Sequence, residues 1–342
     1  MAYQGKNSGI QLLRIFAMLI IIGFHFTDHG AVKVTDNLPT DLNFLFLAFF
    51  HLGGGIGNCL FVLITGYLLC DKTFKIRRLI LLYSEILFYS VISYYIAVKR
   101  GHVEPNLLVA WFPITNIRYW FMSTYFLLVA LFPFINMIIS ECTKKQHALL
   151  ILLLFLVCSV FYTFKSAYFA TPGSIECFIM LYLIGAFINK YRIDIPRRTN
   201  LILITFMALS MVASVVYFNV TKLRPDIGFY VWDMKKTPVV VISVLIFILF
   251  IKLRTKYENY VDYIASSVFA VYLIHIGDLW QYIFLKMFND QIIYQSMFFP
   301  IWLIASVFVI FSLCIIIDKV RYYLLAVPVL YILRKVFKVS WI

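Results

Sequence analysis

Charge is what this sequence has least of: Asp, Glu, Lys and Arg make up 13% of its 342 residues, about half the share in soluble domains. That shortage excludes a solvated globular domain of this length. Acidic residues are scarcer than basic ones, 16 against 30, for a net charge of +14. Cysteine stops at six positions, 59, 70, 142, 158, 177 and 314, all within or beside apolar stretches and none in a Cys-x-x-Cys pair. Neither a disulfide framework nor a zinc site is indicated, and packing is the expected role. The one glycine cluster, Gly53-Gly54-Gly55, has no strand before it and no Lys or Ser/Thr at the spacing of a nucleotide-binding loop. Helix packing explains it better. No internal repeat or low-complexity linker is visible, so one domain over 1–342 is expected.

Apolar residues are what the chain has in excess, at 63%. Windows near the 20 or so residues that a bilayer core requires recur along it. The expected fold is an all-α polytopic bundle with about ten crossings, at 10–27, 44–70, 79–98, 119–139, 147–165, 174–190, 200–219, 237–251, 263–287 and 297–317. Past Asp318 the chain is basic at both ends and apolar between, which fits an interfacial segment or another short crossing. Arg14 interrupts the first apolar run and no small-residue cleavage site follows, so a retained first crossing is expected rather than a signal peptide.

The basic residues sort by side. The segments before the first crossing and after every second one carry 19 Lys and Arg, and the alternate segments carry 10. By the rule that cytoplasmic loops are positive, both termini are expected in the cytoplasm. This use of the charge also disfavours nucleic acid as a partner.

Ionisable groups within a span cost ~2.5–3.5 kcal/mol at the bilayer centre on insertion scales, which makes them functional candidates. The first crossing holds Arg14 and His25, with Asp28 and His29 just beyond. Eleven residues at 100° each return to nearly the same helix face after ~16 Å of rise, so the two are expected to face one cavity at different depths. A permanent cation suits the phosphates of an acyl carrier, and an imidazole suits removal of a hydroxyl proton. The alternative has Arg14 snorkelling to the interface and His25 hydrogen-bonded in the core.

Six segments resemble, in order, those of acyltransferase family 3, the integral-membrane acyltransferases that include bacterial O-antigen and exopolysaccharide O-acetylases. Leu12-Leu13-Arg14-Ile15-Phe16-Ala17 through His25 is similar to the family's Arg, ten residues, His signature. Leu60 to Leu69, with Thr65-Gly66-Tyr67 at its centre, resembles the Ser-Gly-Phe/Tyr segment of the second helix, and Phe74 to Leu79 resembles the basic run entering the third. Tyr119-Trp120-Phe121-Met122, followed by Pro133 and Asn136, is similar to the Trp-Phe-Leu and Pro-x-x-Asn stretch. Tyr182 to Phe187 resembles the Gly-bearing sixth helix, and Ser267 to His275 the late Tyr-Leu-x-His segment. Thr65 stands where Ser is usual and keeps the hydroxyl. Leu81 and Ser84 stand where the family often has Arg and Pro, which weakens the basic run.

The resemblance implies an acyltransferase of the cell membrane, multi-pass, with no hydrolase-like domain appended. It would carry an acyl group, most often acetyl from acetyl-CoA as co-substrate, to a hydroxyl of a cell-surface polysaccharide or lipid-linked saccharide. His25 is implied as essential, Arg14 as its partner, and Arg77 and Arg78 as contacts to the donor's phosphates; a basic pair beside a crossing also serves as a topology signal. Trp120 is a candidate for stacking on the acceptor sugar or for the interfacial aromatic belt. Tyr272, His275 and Asp278 form a polar patch that either supports the site or is structural. Glu85 and Glu176 are isolated acids expected to partner an Arg or His across the bundle. No metal site and no bound cofactor are expected. A glycan exporter is the alternative from another class, and it would call for repeats or paired broken helices.

Overall fold

Asn7 starts the first helix by accepting a hydrogen bond from the Gly9 amide at 3.0 Å, and its amide nitrogen also reaches the Ile251 carbonyl at 3.1 Å. The cap therefore satisfies an orphan helix donor and ties the beginning of the chain to a helix more than two hundred residues later. The computed structural model describes residues 7–30, 32–34, 36, 38–101, 106–164, 174–221, 231–277 and 291–326. All regular elements among them are helical. In order they are α1 (Ser8–His29), α2 (Leu42–His51), α3 (Gly53–Leu69), α4 (Ile76–Lys99), α5 (Leu107–Trp111), α6 (Trp120–Glu141), α7 (Lys144–Phe155, continued by a π-helical turn), α8 (Ile175–Tyr191), α9 (Arg197–Val220), α10 (Thr237–Phe250), α11 (Glu258–Ala265), α12 (Val268–His275), α13 (Gln291–Tyr294) and α14 (Phe299–Arg321).

Among the described residues, seven helical stretches are long and apolar enough to cross a membrane: α1, the α2–α3 pair, α4, α6, α7 with its π-helical turn, α9 and α14 with the turn after it. The other expected crossings are shorter. Helix α8 has 17 residues and α10 has 14, which at 1.5 Å per residue gives about 25 and 21 Å against a hydrocarbon core near 30 Å. Within the expected ninth crossing, 263–287, the helix is interrupted at Ser266-Ser267, between the eight-residue helices α11 and α12, and 278–287 lie outside the described residues.

The α2–α3 pair is the hub, with 78% of its apolar window buried against 11% for α9. Helices in lipid associate through close packing and hydrogen bonds rather than by hiding apolar surface from water. Helices α3 and α8 approach closely: a Cβ on Gly66 would collide with the Tyr182 carbonyl, and one on Gly185 with the Leu63 carbonyl. Glycine is what lets the two backbones touch. Polar side chains fasten the rest. Asn136 of α6 donates to the Leu69 carbonyl and accepts from the Tyr182 hydroxyl, both at 2.8 Å, so the Pro-x-x-Asn segment bridges α3 and α8. Asn200 of α9 donates to the Leu245 carbonyl of α10 at 3.0 Å. Arg321 of α14 pairs with Asp318 at 2.7 Å and with Glu85 of α4 at 3.1 Å, while Tyr89 donates to Asp318 at 2.8 Å. Glu85 thus has the cross-bundle arginine partner the sequence led us to expect. All six cysteines are free thiols.

Candidate active site

His275 closes α12, and its Nδ1 lies 2.7 Å from the Val271 carbonyl one turn back. A carbonyl only accepts, so Nδ1 carries the proton and the Nε2 of a neutral His275 is a bare acceptor. That Nε2 is 2.8 Å from Nδ1 of His25. With both rings neutral, His25 must donate through Nδ1, which leaves its own Nε2 with a free lone pair. Among the described residues nothing hydrogen-bonds to that Nε2. Two residues 250 positions apart thus form a relay in which a backbone carbonyl sets both tautomers. Both rings are buried, at 7% and 1% exposure.

A second imidazole is fixed in the same way. Thr27 gives its hydroxyl proton to the Phe24 carbonyl at 2.7 Å, so it can only accept from Nδ1 of His51, also at 2.7 Å. The Nε2 of His51 is therefore a second free acceptor. Helix α2 ends at His51, and α3 begins at once with Gly53 and Gly54. Added Cβ atoms there would strike Ile20 and the Phe24 ring of α1. The glycines let α3 lie against α1 and carry His51 to within 4.8 Å of the Phe24 ring, which is itself 5.3 Å from that of His25.

His25 and His51 line a cavity of about 570 Å³, together with Trp120, Trp232, Asn58, Arg118 and the carboxylates Asp28 and Asp233. Two further polar atoms of this lining, Asn58 Oδ1 and Trp232 Nε1, are buried without a hydrogen-bond partner. Trp120 lines the cavity half-buried.

The other end of α1 differs. Half-buried Arg14 touches two adjoining cavities. One, of about 390 Å³, is shared with Arg78, Thr65, Tyr125 and Glu85. The other, of about 190 Å³, is walled by Met18, Phe61, Phe121, Met122 and Tyr272. Among the described residues Arg14 makes one hydrogen bond, to Gln11 at 3.1 Å. Arg78 sits 5.5 Å over the Phe132 ring, and its Nη1 is buried with no partner. Arg77 is exposed and lines none of these cavities. Thr65 donates to the Phe61 carbonyl at 2.8 Å and so accepts from the Tyr125 hydroxyl at 3.1 Å. The hydroxyl that replaces the usual serine is thus part of this lining.

The expectation that Arg14 and His25 face one cavity needs correction: they line separate ones. Helical spacing gives them a common face, but α12 packs across the space between them. The Tyr272 ring lies 5.6 Å from that of Phe121 and 5.8 Å from His275, so one aromatic layer divides the smaller Arg14 cavity from the imidazole relay. Tyr272 itself lines the Arg14 side. Asp278, expected beside His275, lies outside the described residues.

Reading the sequence missed His51, Thr27, Asn58 and Trp232. One signal was present: His51 is an ionisable residue inside the second apolar window, the same criterion that singled out His25. Nothing in the sequence marks Asn58 or Trp232, because their value lies in being left unpaired once the helices pack.

A family model described as an acyltransferase domain matches residues 7–319. Neither a curated protein nor a solved structure matches the chain.

Proposed function

The chain belongs to acyltransferase family 3, and from that membership together with the imidazole geometry we propose that it moves an acetyl group from cytoplasmic acetyl-CoA to a hydroxyl of a cell-surface polysaccharide or lipid-linked saccharide. In this reading it is a multi-pass protein of the cell membrane with ten crossings. The short helices α8 and α10 and the broken α11–α12 pair make up the three beyond the seven long ones. Both termini are cytoplasmic, which the excess of 19 basic residues over 10 supports.

The observation that carries the reading is the unpaired Nε2 of buried His25, which lines a cavity that also holds several polar side chains. It is held in the one tautomer that can take a proton, as a general base requires. The acceptor hydroxyl gives its proton to this nitrogen as its oxygen attacks the thioester carbonyl. The tetrahedral intermediate then expels the CoA thiolate, which recovers the proton from His25, leaving an ester and free CoA. His275 acts on the reaction through His25, by fixing its tautomer.

At the opposite end, Arg14 and Arg78 offer cationic nitrogens to the donor's phosphates, which favour charge-assisted hydrogen bonds. The apolar cavity between Met18 and Tyr272 suits the thin pantetheine arm, and displacement of the Tyr272–Phe121 layer brings the thioester to His25. Arg78, rather than Arg77, is the member of the basic pair with this role, and Trp120 offers a ring face to the acceptor.

The test compares ester-linked acyl groups on surface polysaccharide from cells carrying the parental chain or His25→Ala, at equal membrane protein levels. Loss of one defined acyl mass is expected; equal acylation overturns the reading. Substrate flux in vesicles lacking acyl donor is the outcome that an exporter would give.

A further inference from the structure

The atoms left unpaired in the His25 cavity specify a ligand more narrowly than the reaction does. His51 Nε2 and Asn58 Oδ1 can only accept a hydrogen bond, and Trp232 Nε1 can only donate one. The Trp232 and His51 rings are 4.2 Å apart at 63°, edge to face, so the residue with the free donor packs against the one with the free acceptor. A phosphate or carboxylate satisfies the indole but has no proton for the imidazole or the amide oxygen. An ammonium satisfies the acceptors but not the indole. A hydroxyl does both. Asp28 and Asp233 bring carboxylates and Arg118 a guanidinium to the same lining, so its charged side chains are of both signs. Burying Asn58 Oδ1 and Trp232 Nε1 without a partner costs roughly 1–3 kcal/mol each, which makes a ligand that completes them favoured.

We propose that His51, Asn58 and Trp232 form a hydroxyl-reading subsite, which binds a second hydroxyl of a polyhydroxylated acceptor while the hydroxyl to be acylated lies at His25. The inference rests on the acyltransferase reading and deepens it: the acceptor is a neutral saccharide unit recognised through at least two hydroxyls. The site selects among hydroxyls by geometry, because the distance between two imidazoles locked by Val271 and Thr27 is set by the fold. His51 is a binding residue here, distinct from the general base.

The choice of variant separates binding from structure. In His51→Asn the side-chain amide still donates to Thr27, but the acceptor at Nε2 is gone. Trp232→Phe keeps the ring and removes only the N–H. Purified parental protein and both variants are assayed with radiolabelled acetyl-CoA, using p-nitrophenyl β-D-glucopyranoside and β-D-galactopyranoside and their monodeoxy derivatives as acceptors. We expect His51→Asn to raise KM for the preferred glycoside about tenfold, the worth of one buried hydrogen bond, with a far smaller change in kcat. We expect the penalty to vanish for the one monodeoxy glycoside that lacks the hydroxyl being read. Trp232→Phe should raise KM in the same direction. A parental-like KM in both variants overturns the subsite while leaving acyl transfer intact. So does a fall in kcat that is equal for every monodeoxy acceptor, since that marks a structural role. Parental protein that acetylates none of the glycosides overturns the saccharide reading, and the subsite with it. Should His51→Asn melt at a lower temperature than the parent, Trp232→Phe decides the matter.

Discussion

At the Arg14 end of α1 the unsatisfied groups are cations; at the His25 end they are neutral, the lone pairs of two imidazoles and an amide and the N–H of an indole. Among the described residues Arg14 hydrogen-bonds to Gln11 alone, and Arg78 leaves one nitrogen bare. The imidazoles of His25 and His51 are each held by a hydrogen bond at Nδ1 and open at Nε2. The difference follows from how each side chain is restrained. Nothing sets the protonation of a guanidinium, which is charged wherever it lies and is suited to holding charge. An imidazole becomes a defined base only when its other nitrogen is fixed, and here backbone and hydroxyl oxygens fix it. One helix therefore serves two chemically distinct regions, and the ~16 Å rise between residues 14 and 25 keeps them apart.

The comparison can be broken most decisively at the relay. His25→Ala is expected to lower acyl transfer by ~10²–10⁴-fold, the usual worth of a general base, in protein that inserts and folds as the parent does. His275→Ala leaves His25 free to tautomerise, and a loss near the lower end of that range, ~10²-fold in kcat, is expected in steady-state kinetics. At the other end, Arg78→Gln should raise KM for acetyl-CoA by about tenfold, the worth of one charge-assisted hydrogen bond. Arg77→Gln should change it less than about twofold, as for an exposed charge. Equal effects of the two substitutions would erase the distinction between a cavity-lining and an exposed arginine. A last substitution tests the frame rather than the site: Gly185→Ala forces the α3 and α8 backbones apart, at a cost of ~1–3 kcal/mol, seen as a lower melting temperature in detergent.

Much of this was legible in the sequence because the bilayer imposes simple rules. Apolar windows located the helices, and the rarity of charge in them drew attention to Arg14 and His25. The count of crossings was less legible, since α8, α10 and the α11–α12 pair are apolar but short or broken, and hydropathy does not register a break at Ser266-Ser267. The shared cavity for Arg14 and His25 failed for a related reason. Helical periodicity predicts which face a residue occupies, but not that α12, 250 residues on, fills the groove between them. His51 went unread because the glycines after it were weighed as a motif of their own. Their effect is local and steric, bringing the end of α2 against Phe24. Asn58 and Trp232 belong to a class that sequence cannot reveal, polar atoms defined by the partners they lack.

The division of labour along α1 is tested most directly by acetyl-CoA binding to purified parental, His25→Ala and Arg14→Gln proteins, by isothermal titration in detergent. The account predicts that His25→Ala binds the donor with the parental Kd while transferring almost nothing, and that Arg14→Gln binds it several-fold more weakly. Donor binding that is lost in His25→Ala and intact in Arg14→Gln would contradict it.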